Sequence, residues 1–157
     1  MNAPTIELLN QTHHEDCPSL KQFQSWIDAA CAHKTIPSLI NHSSRSYMTL
    51  VIIDSDEMQS LNFEFRHKNY PTNVLSFPDE TLPNEKPDSW GDIVFCHETI
   101  LSEAKTLSIP WLNHFAHLTI HGLLHLLGYD HVDDQEATRM ESVEIEILQS
   151  INIPNPY

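Results

Sequence analysis

The sequence has few basic residues for its size. Eight lysines and arginines stand against 22 aspartates and glutamates, which gives a formal net charge of −14. Seven of the acidic residues lie between Asp130 and Glu146, with a single arginine among them. A chain with this charge is not expected to coat nucleic acid non-specifically, because phosphates repel it. The one tight basic cluster is the segment 66–68 (Arg-His-Lys), and an anionic substrate, if one binds, is expected there.

Long apolar runs are also absent. The longest mostly apolar segments, Tyr47–Ile53 and Leu123–Leu127, are much shorter than the roughly 20 residues that span a bilayer, so no membrane partner is expected. The segment Met1–Asn10 has no basic residue ahead of an apolar stretch, which predicts no signal peptide. Three cysteines, an odd number without a CxxC pair, do not indicate disulfides. The simplest interpretation is a reduced, cytoplasmic compartment.

Length and hydrophobic pattern predict one α+β domain over residues 1–157. A chain of 157 residues has the size of a single domain, and no repeat or linker divides it. Four segments have the pattern of strands: Thr5–Gln11, Ser46–Asp54, Asn73–Phe77 and Trp90–Cys96. Five have the pattern of helices: Pro18–His33, Ser55–Arg66, Glu98–Leu107, Pro110–Leu127 and Asp133–Ile151. This order predicts a single mixed, mostly parallel four-stranded sheet with helices packed on it.

Histidine is abundant, with eleven in the chain, and the informative ones cluster in one segment. His121 and His125 are four residues apart on a predicted helix, so both imidazoles lie on one face. Gly128 permits the left-handed conformation that ends the helix, after which His131 can supply a third nitrogen. The offsets of four, seven and ten reproduce the metzincin zinc-site spacing. The sequence therefore predicts one Zn²⁺ ion held by three histidines with an open fourth position, on a helix near the centre of the fold.

The residue after the first histidine departs from the protease pattern. In zincins this residue is the glutamate that acts as general base, whereas here it is Gly122, which can take no proton. Two further histidines continue the same stripe of the helix. We expect His117 to be hydrogen-bonded near the site and His114 to face solvent.

Three blocks of this sequence resemble the YbeY family of bacterial metal-dependent endoribonucleases. The first is the histidine segment 121–131, the second extends from Leu61 to Pro78 and includes the run PTNVLSFP, and the third is Gly91-Asp92-Ile93. The match covers about Val51 to Ser150, and the final residues 155–157 (Asn-Pro-Tyr) also resemble the family.

The resemblance implies a site and an activity. His121, His125 and His131 would be the zinc ligands, and Arg66 would be the active-site arginine that faces the metal across a cleft. The implied activity is cleavage of single-stranded RNA in the 3′ maturation of small-subunit ribosomal RNA and in ribosome quality control. The implied partners are therefore ribosomal RNA, the ribosome and ribosome-associated proteins. Without the resemblance, Arg66 would be interpreted as a helix-end residue that pairs with the last carbonyl groups.

Two other functions stay open at this point. One is a metallopeptidase-like hydrolase, which Gly122 argues against. The other is a ribosome-assembly binding factor with a structural zinc, which a fourth protein ligand at the metal would support, since closed sites do not activate water. No general base is identified: Asp92 could be a turn residue, and Asp130 could orient a ligand.

Overall fold

A computed structural model describes residues 3–36, 46–79, 89–130 and 133–157, and within these it contains four strands and five helices. The strands are β1 (Thr5–Asn10), β2 (Tyr47–Ile53), β3 (Val74–Pro78) and β4 (Ser89–Cys96). The helices are α1 (Leu20–Cys31), α2 (Ser55–Arg66), α3 (His97–Leu107), α4 (Trp111–Leu126) and α5 (Asp134–Ser150).

The four strands form one mixed sheet in the order β1-β2-β4-β3. β1 pairs with β2 and β2 with β4 in parallel, whereas β3 runs antiparallel to β4. The two central strands, β2 and β4, are mostly buried along their length, which explains their nearly continuous apolar sequences. The prediction of an α+β fold with a mostly parallel sheet is confirmed.

Capping residues explain where the helices begin. Ser19 is the N-cap of α1: its hydroxyl accepts from the Gln22 amide, and the Gln22 side chain accepts from the Ser19 amide in a capping box. Pro18 therefore lies before the cap and outside the helix. Asp54 occupies the N-cap position of α2 without a side-chain hydrogen bond, and the helix begins at Ser55 as predicted. Asp133 caps α5 as expected, accepting a hydrogen bond from the Glu136 amide at 2.8 Å.

Helix α4 is the central element of the fold. It contacts α1, α3 and α5 as well as strands β3 and β4. Its sequence is apolar around most of its circumference, as expected for a helix that is covered on several sides. No helix in the described ranges is both long and apolar enough to cross a bilayer.

Candidate metal centre and substrate cavity

His121 and His125 meet on one face of α4. Their Nε2 atoms are 3.1 Å apart, and their rings pack edge to face with centroids 4.6 Å apart. Two nitrogen ligands on one tetrahedral zinc, each about 2.0–2.1 Å from the metal, lie roughly 3.3 Å apart. The spacing of the two Nε2 atoms therefore fits two ligands of a single ion. His131, the third predicted ligand, lies outside the described residues, so the complete set of three stays a prediction.

The Nδ1 atoms of both histidines are anchored by acceptors. His121 Nδ1 donates to Glu144 Oε1 at 2.6 Å, and His125 Nδ1 donates to the backbone carbonyl of Tyr129 at 2.9 Å. A carbonyl oxygen and an ionised carboxylate can only accept, so the proton of each neutral ring resides on Nδ1. Both Nε2 atoms then present lone pairs toward the same point, which is the arrangement that metal-ligating histidines adopt.

Glu144 is the carboxylate that supports this arrangement. It lies on α5, is fully buried, and accepts hydrogen bonds from His117 Nε2 at 3.0 Å and from the Tyr157 hydroxyl. Burial by itself raises the pKa of Glu144, but the hydrogen bonds from His117, His121 and Tyr157 outweigh burial and lower it to about 2. Burial and the neighbouring Glu144 raise the pKa of Tyr157. Glu144 is thus an anion, and Tyr157 remains a hydroxyl donor.

His117, His121 and Glu144 also form a group that could itself hold a metal ion. Each offers one ligand atom, and these atoms lie within 4.8 Å of one another. In the structure the Glu144 oxygens already accept hydrogen bonds from both histidines, and an ion bound there would have to replace those bonds. The group is therefore satisfied as a hydrogen-bonded support for His121, and His117 is hydrogen-bonded beside the site as expected.

A second group with metal-ligand chemistry lies at the surface. His14, Asp54 and Glu98 bring their ligand atoms within 4.8 Å of one another. His14 Nε2 is 3.4 Å from Asp54 Oδ1, and the two side chains are 42% and 49% exposed. A pair of this exposure exists readily in water without an ion.

A cavity of about 730 Å³ joins the two histidines to the basic cluster. Its lining includes His121 and His125 together with Arg66 and Lys68. The Arg66 side chain is exposed, and one of its guanidinium nitrogens donates to the Ser76 carbonyl at 3.4 Å. The structure thus brings the predicted catalytic arginine and two of the three predicted metal ligands to one cavity.

The end of α2 directs Arg66 and Lys68 into this cavity. Helix α2 ends at Arg66, and His67 adopts the left-handed conformation with φ of 60°. The Lys68 amide then bonds back to the Asn62 carbonyl at 3.3 Å, which supplies a donor to a carbonyl at the end of the helix. The buried Asn62 side chain donates to the Tyr70 carbonyl at 2.8 Å and ties the following loop to the helix.

Gly122 faces the sheet. Its carbonyl accepts a hydrogen bond from Ser76 Oγ at 2.9 Å. A Cβ atom at this position would lie 2.9 Å from Ile93 Cγ2 and 3.2 Å from Ser76 Oγ. The position occupied by the base in zincin proteases therefore has no room for a side chain, because α4 packs directly on β3 and β4 here.

Two features of the site differ from the sequence prediction or were missed by it. The prediction that His114 faces solvent is wrong: it is 5% exposed, and its Nε2 bonds to Glu103 Oε1 at 3.0 Å because α3 covers this face of α4. The role of Glu144 was missed, although a signal existed. Glu144 is the lone acid on the buried stripe of α5, whose other members are Met140, Ile147 and Leu148.

The two candidate aspartates lie in different places. Asp130 lines the cavity, whereas Asp92 lies on β4 outside that lining. Partial burial, followed by the negative charge of Asp79, raises the pKa of Asp92. Neither residue is thereby identified as a base.

Known proteins resemble this chain over nearly its whole length. The family model described as "Endoribonuclease YbeY" matches residues 7–152. Proteins named endoribonuclease YbeY from Coxiella burnetii strains Dugway 5J108-111 and RSA 331 / Henzerling II are 40% identical over 153 residues, which is 98% of this chain and 97% of each relative. The solution structure of TM1509 from Thermotoga maritima shares the fold, with a TM-score of 0.57, 20% identity, and coverage of 93% of this chain and 91% of that one. The chain therefore belongs to the YbeY family of endoribonucleases.

Proposed function

We propose that this chain is a zinc-dependent endoribonuclease that cleaves single-stranded RNA. His121, His125 and His131 hold one Zn²⁺ ion, and Arg66 binds the phosphate that is cleaved. The observation that carries this proposal is the shared cavity, in which the paired Nε2 atoms and the Arg66 guanidinium line the same space. The geometry of the paired imidazoles fits the zinc, since neutral histidines are ligands that this metal accepts.

The residues of the chain have distinct tasks in this reaction. Bound zinc supplies a Lewis acid that polarises a phosphoryl oxygen and acidifies a bound water. Glu144 and the Tyr129 carbonyl fix the ring orientation of His121 and His125. Arg66 binds phosphate oxygens through its planar fork and stabilises the charge that develops on them. Lys68 adds a second positive charge to the cavity of an otherwise acidic protein.

The resemblance to the family supports a proposed biological role. We propose that the RNA substrate is ribosomal, that the reaction matures the 3′ end of small-subunit ribosomal RNA, and that the protein works with the ribosome and its associated proteins in quality control. Residues 1–157 form a single domain in this proposal, supported by the one sheet and by the family match over residues 7–152. The three cysteines are free thiols, which supports a cytoplasmic location.

A second candidate function is a ribosome-assembly binding factor with a structural metal. The His117–His121–Glu144 group favours it, because a metal held there with further protein ligands would leave no position open for water. The peptidase alternative has no such support, since Gly122 is enclosed by the sheet.

Metal removal separates these functions. The purified protein is expected to contain about one zinc per chain and to cleave a single-stranded RNA oligonucleotide but not a double-stranded one or an unstructured peptide. Chelation should abolish cleavage, and added zinc should restore it. RNA cleavage that persists in the zinc-free protein would contradict the proposal, and a zinc-loaded protein that binds RNA without cleaving it would favour the binding factor.

Replacing Glu144 with glutamine is expected to weaken zinc binding by roughly 10- to 100-fold. Glutamine keeps the size of the side chain but offers His121 and His117 one neutral acceptor in place of a carboxylate. Competition with a calibrated chelator measures the change. Glu146→Gln is the matched control, because Glu146 lies on the same helix and bonds to a different histidine, His33, at 2.6 Å. Equal zinc affinities of the two variants would contradict this role for Glu144.

A further inference from the structure

An aromatic ledge lies next to Arg66, outside the lining of the cavity. It consists of Phe65, the penultimate residue of α2, and Phe77 of β3, whose ring centroids are 5.1 Å apart at an interplanar angle of 69°. The Phe65 side chain is 49% exposed, although phenylalanine is normally buried. The ledge therefore leaves a large part of one aromatic ring open to a ligand.

The position of Phe65 at the end of α2 holds its ring in place while leaving part of it exposed. Helix α2 buries Met58 and Asn62 on the face that it turns to the rest of the protein. Phe65 lies on that same face, in the last turn of the helix, and contacts Phe77 at the edge of the sheet. The contact holds the ring in place, and a ring held in advance loses little conformational entropy when a flat ligand stacks on it.

A cation lies next to the ledge. The Arg66 guanidinium carbon is 5.7 Å from the centroid of the Phe77 ring, and Arg66 lines the cavity. An aromatic surface beside a phosphate-binding cation matches the chemistry of a single-stranded nucleotide, which offers a flat base next to a charged backbone. Proteins bind single-stranded RNA by this combination, in which unpaired bases stack on aromatic side chains.

The shortage of positive charge gives stacking a particular importance here. Among the described residues that line the cavity, two are lysine or arginine, namely Arg66 and Lys68. The chain as a whole has a formal net charge of −14. With two phosphate contacts, the slope of log K against log salt would be only about −1.4, so electrostatics supply a small share of the affinity. Another source of affinity is needed, and the exposed ring belongs to Phe65, the residue before Arg66.

We propose that the Phe65–Phe77 ledge stacks a nucleobase of the RNA next to the phosphate that Arg66 holds. The proposal rests on the proposed function, and it adds a specific binding subsite for one unpaired base. It also gives a reason for the preference for single strands, because a base that is paired inside a duplex cannot lie on the ring.

Binding of intact RNA tests the ledge directly. A fluorescent single-stranded RNA oligonucleotide is titrated with the zinc-loaded protein at low temperature, anisotropy gives the Kd, and a gel run after each titration verifies that the RNA has not been cleaved. Phe65→Ala is expected to weaken binding about 5- to 100-fold, the range for loss of one stacked base, without changing the salt slope. Phe63→Ala is the matched control, because Phe63 lies on the same helix and is 57% exposed, and it should bind like wild type.

Two further comparisons distinguish stacking from a general apolar contact. Phe65→Trp should retain the affinity, whereas Phe65→Leu should bind as weakly as Phe65→Ala. The tryptophan and leucine variants keep a large side chain at this position, so they test stacking even if alanine disturbs the fold. A series of oligonucleotides is prepared in which each lacks the base at one position. Loss of the base at one particular position should weaken binding by the wild-type protein, and loss of the same base should not change binding by Phe65→Ala.

The possible outcomes distinguish failure of the ledge proposal from failure of the proposed function. The ledge is overturned if wild-type protein binds and cleaves RNA while Phe65→Ala binds equally well, or if Phe65→Leu restores full affinity. A wild-type protein that neither binds nor cleaves single-stranded RNA overturns the proposed function, and the ledge proposal fails with it. Position-specific loss with the abasic series, absent in Phe65→Ala, supports the subsite.

Discussion

Replacing Arg66 with alanine is expected to slow cleavage of single-stranded RNA by roughly a hundredfold or more, because a charge-assisted contact to the reacting phosphate is lost. The same change should leave zinc content and Tm close to wild type. The Arg66 side chain is exposed, and its two hydrogen bonds, to the Phe65 and Ser76 carbonyls, are long at 3.3 and 3.4 Å. Changes at such positions usually alter the free energy of unfolding by only about 0.5 kcal/mol.

Two variants sharpen this experiment. Arg66→Lys should recover only part of the activity, since an ammonium group supplies charge without the planar fork. Lys105→Ala is the control, because Lys105 is also an exposed basic residue in the last turn of a helix, α3, and it should cleave at the wild-type rate. Wild-type cleavage by Arg66→Ala would refute the catalytic role. A loss of activity matched by unfolding would make Arg66 a structural residue.

Replacing His125 with alanine is expected to remove the metal and abolish RNA cleavage. A three-histidine site that loses one ligand retains too few donors to hold zinc at ordinary concentrations. Elemental analysis of the purified variant measures the metal, and the oligonucleotide assay measures the activity. Because His125 Nδ1 also bonds to the Tyr129 carbonyl at 2.9 Å, circular dichroism should verify that the fold persists.

His117→Ala provides the decisive comparison for the location of the metal. If zinc is held by the Nε2 atoms of His121 and His125, His117→Ala should keep its zinc with a moderately lower affinity, because it removes only one bond to Glu144. If zinc is held by the His117–His121–Glu144 group, the result is reversed, with zinc lost from His117→Ala and kept by His125→Ala. That reversed pattern would place the metal at the His117–His121–Glu144 group and would contradict the proposed set of ligands.

The sequence by itself determined the elements and two histidines of the candidate metal centre. The strands and helices were recognisable because their signals are local: period-two or period-3.6 apolar patterns, and caps such as Asp133. His121 and His125 were identifiable for the same reason, since residues four apart on a helix share a face whatever surrounds that helix. The role of His131 stays a prediction.

Only the tertiary structure decided which side chains share the site. Glu144 looked like one acid in an acidic helix until α5 packed against α4 and enclosed it beside His117 and His121. His114 became buried because α3 covers it. Arg66 lies at the histidine cavity because α2 ends there, at the turn formed by His67, and because β3 lies at the edge of the sheet. Burial and the pairing of charges depend on which element covers which face, and a local sequence pattern does not contain that information.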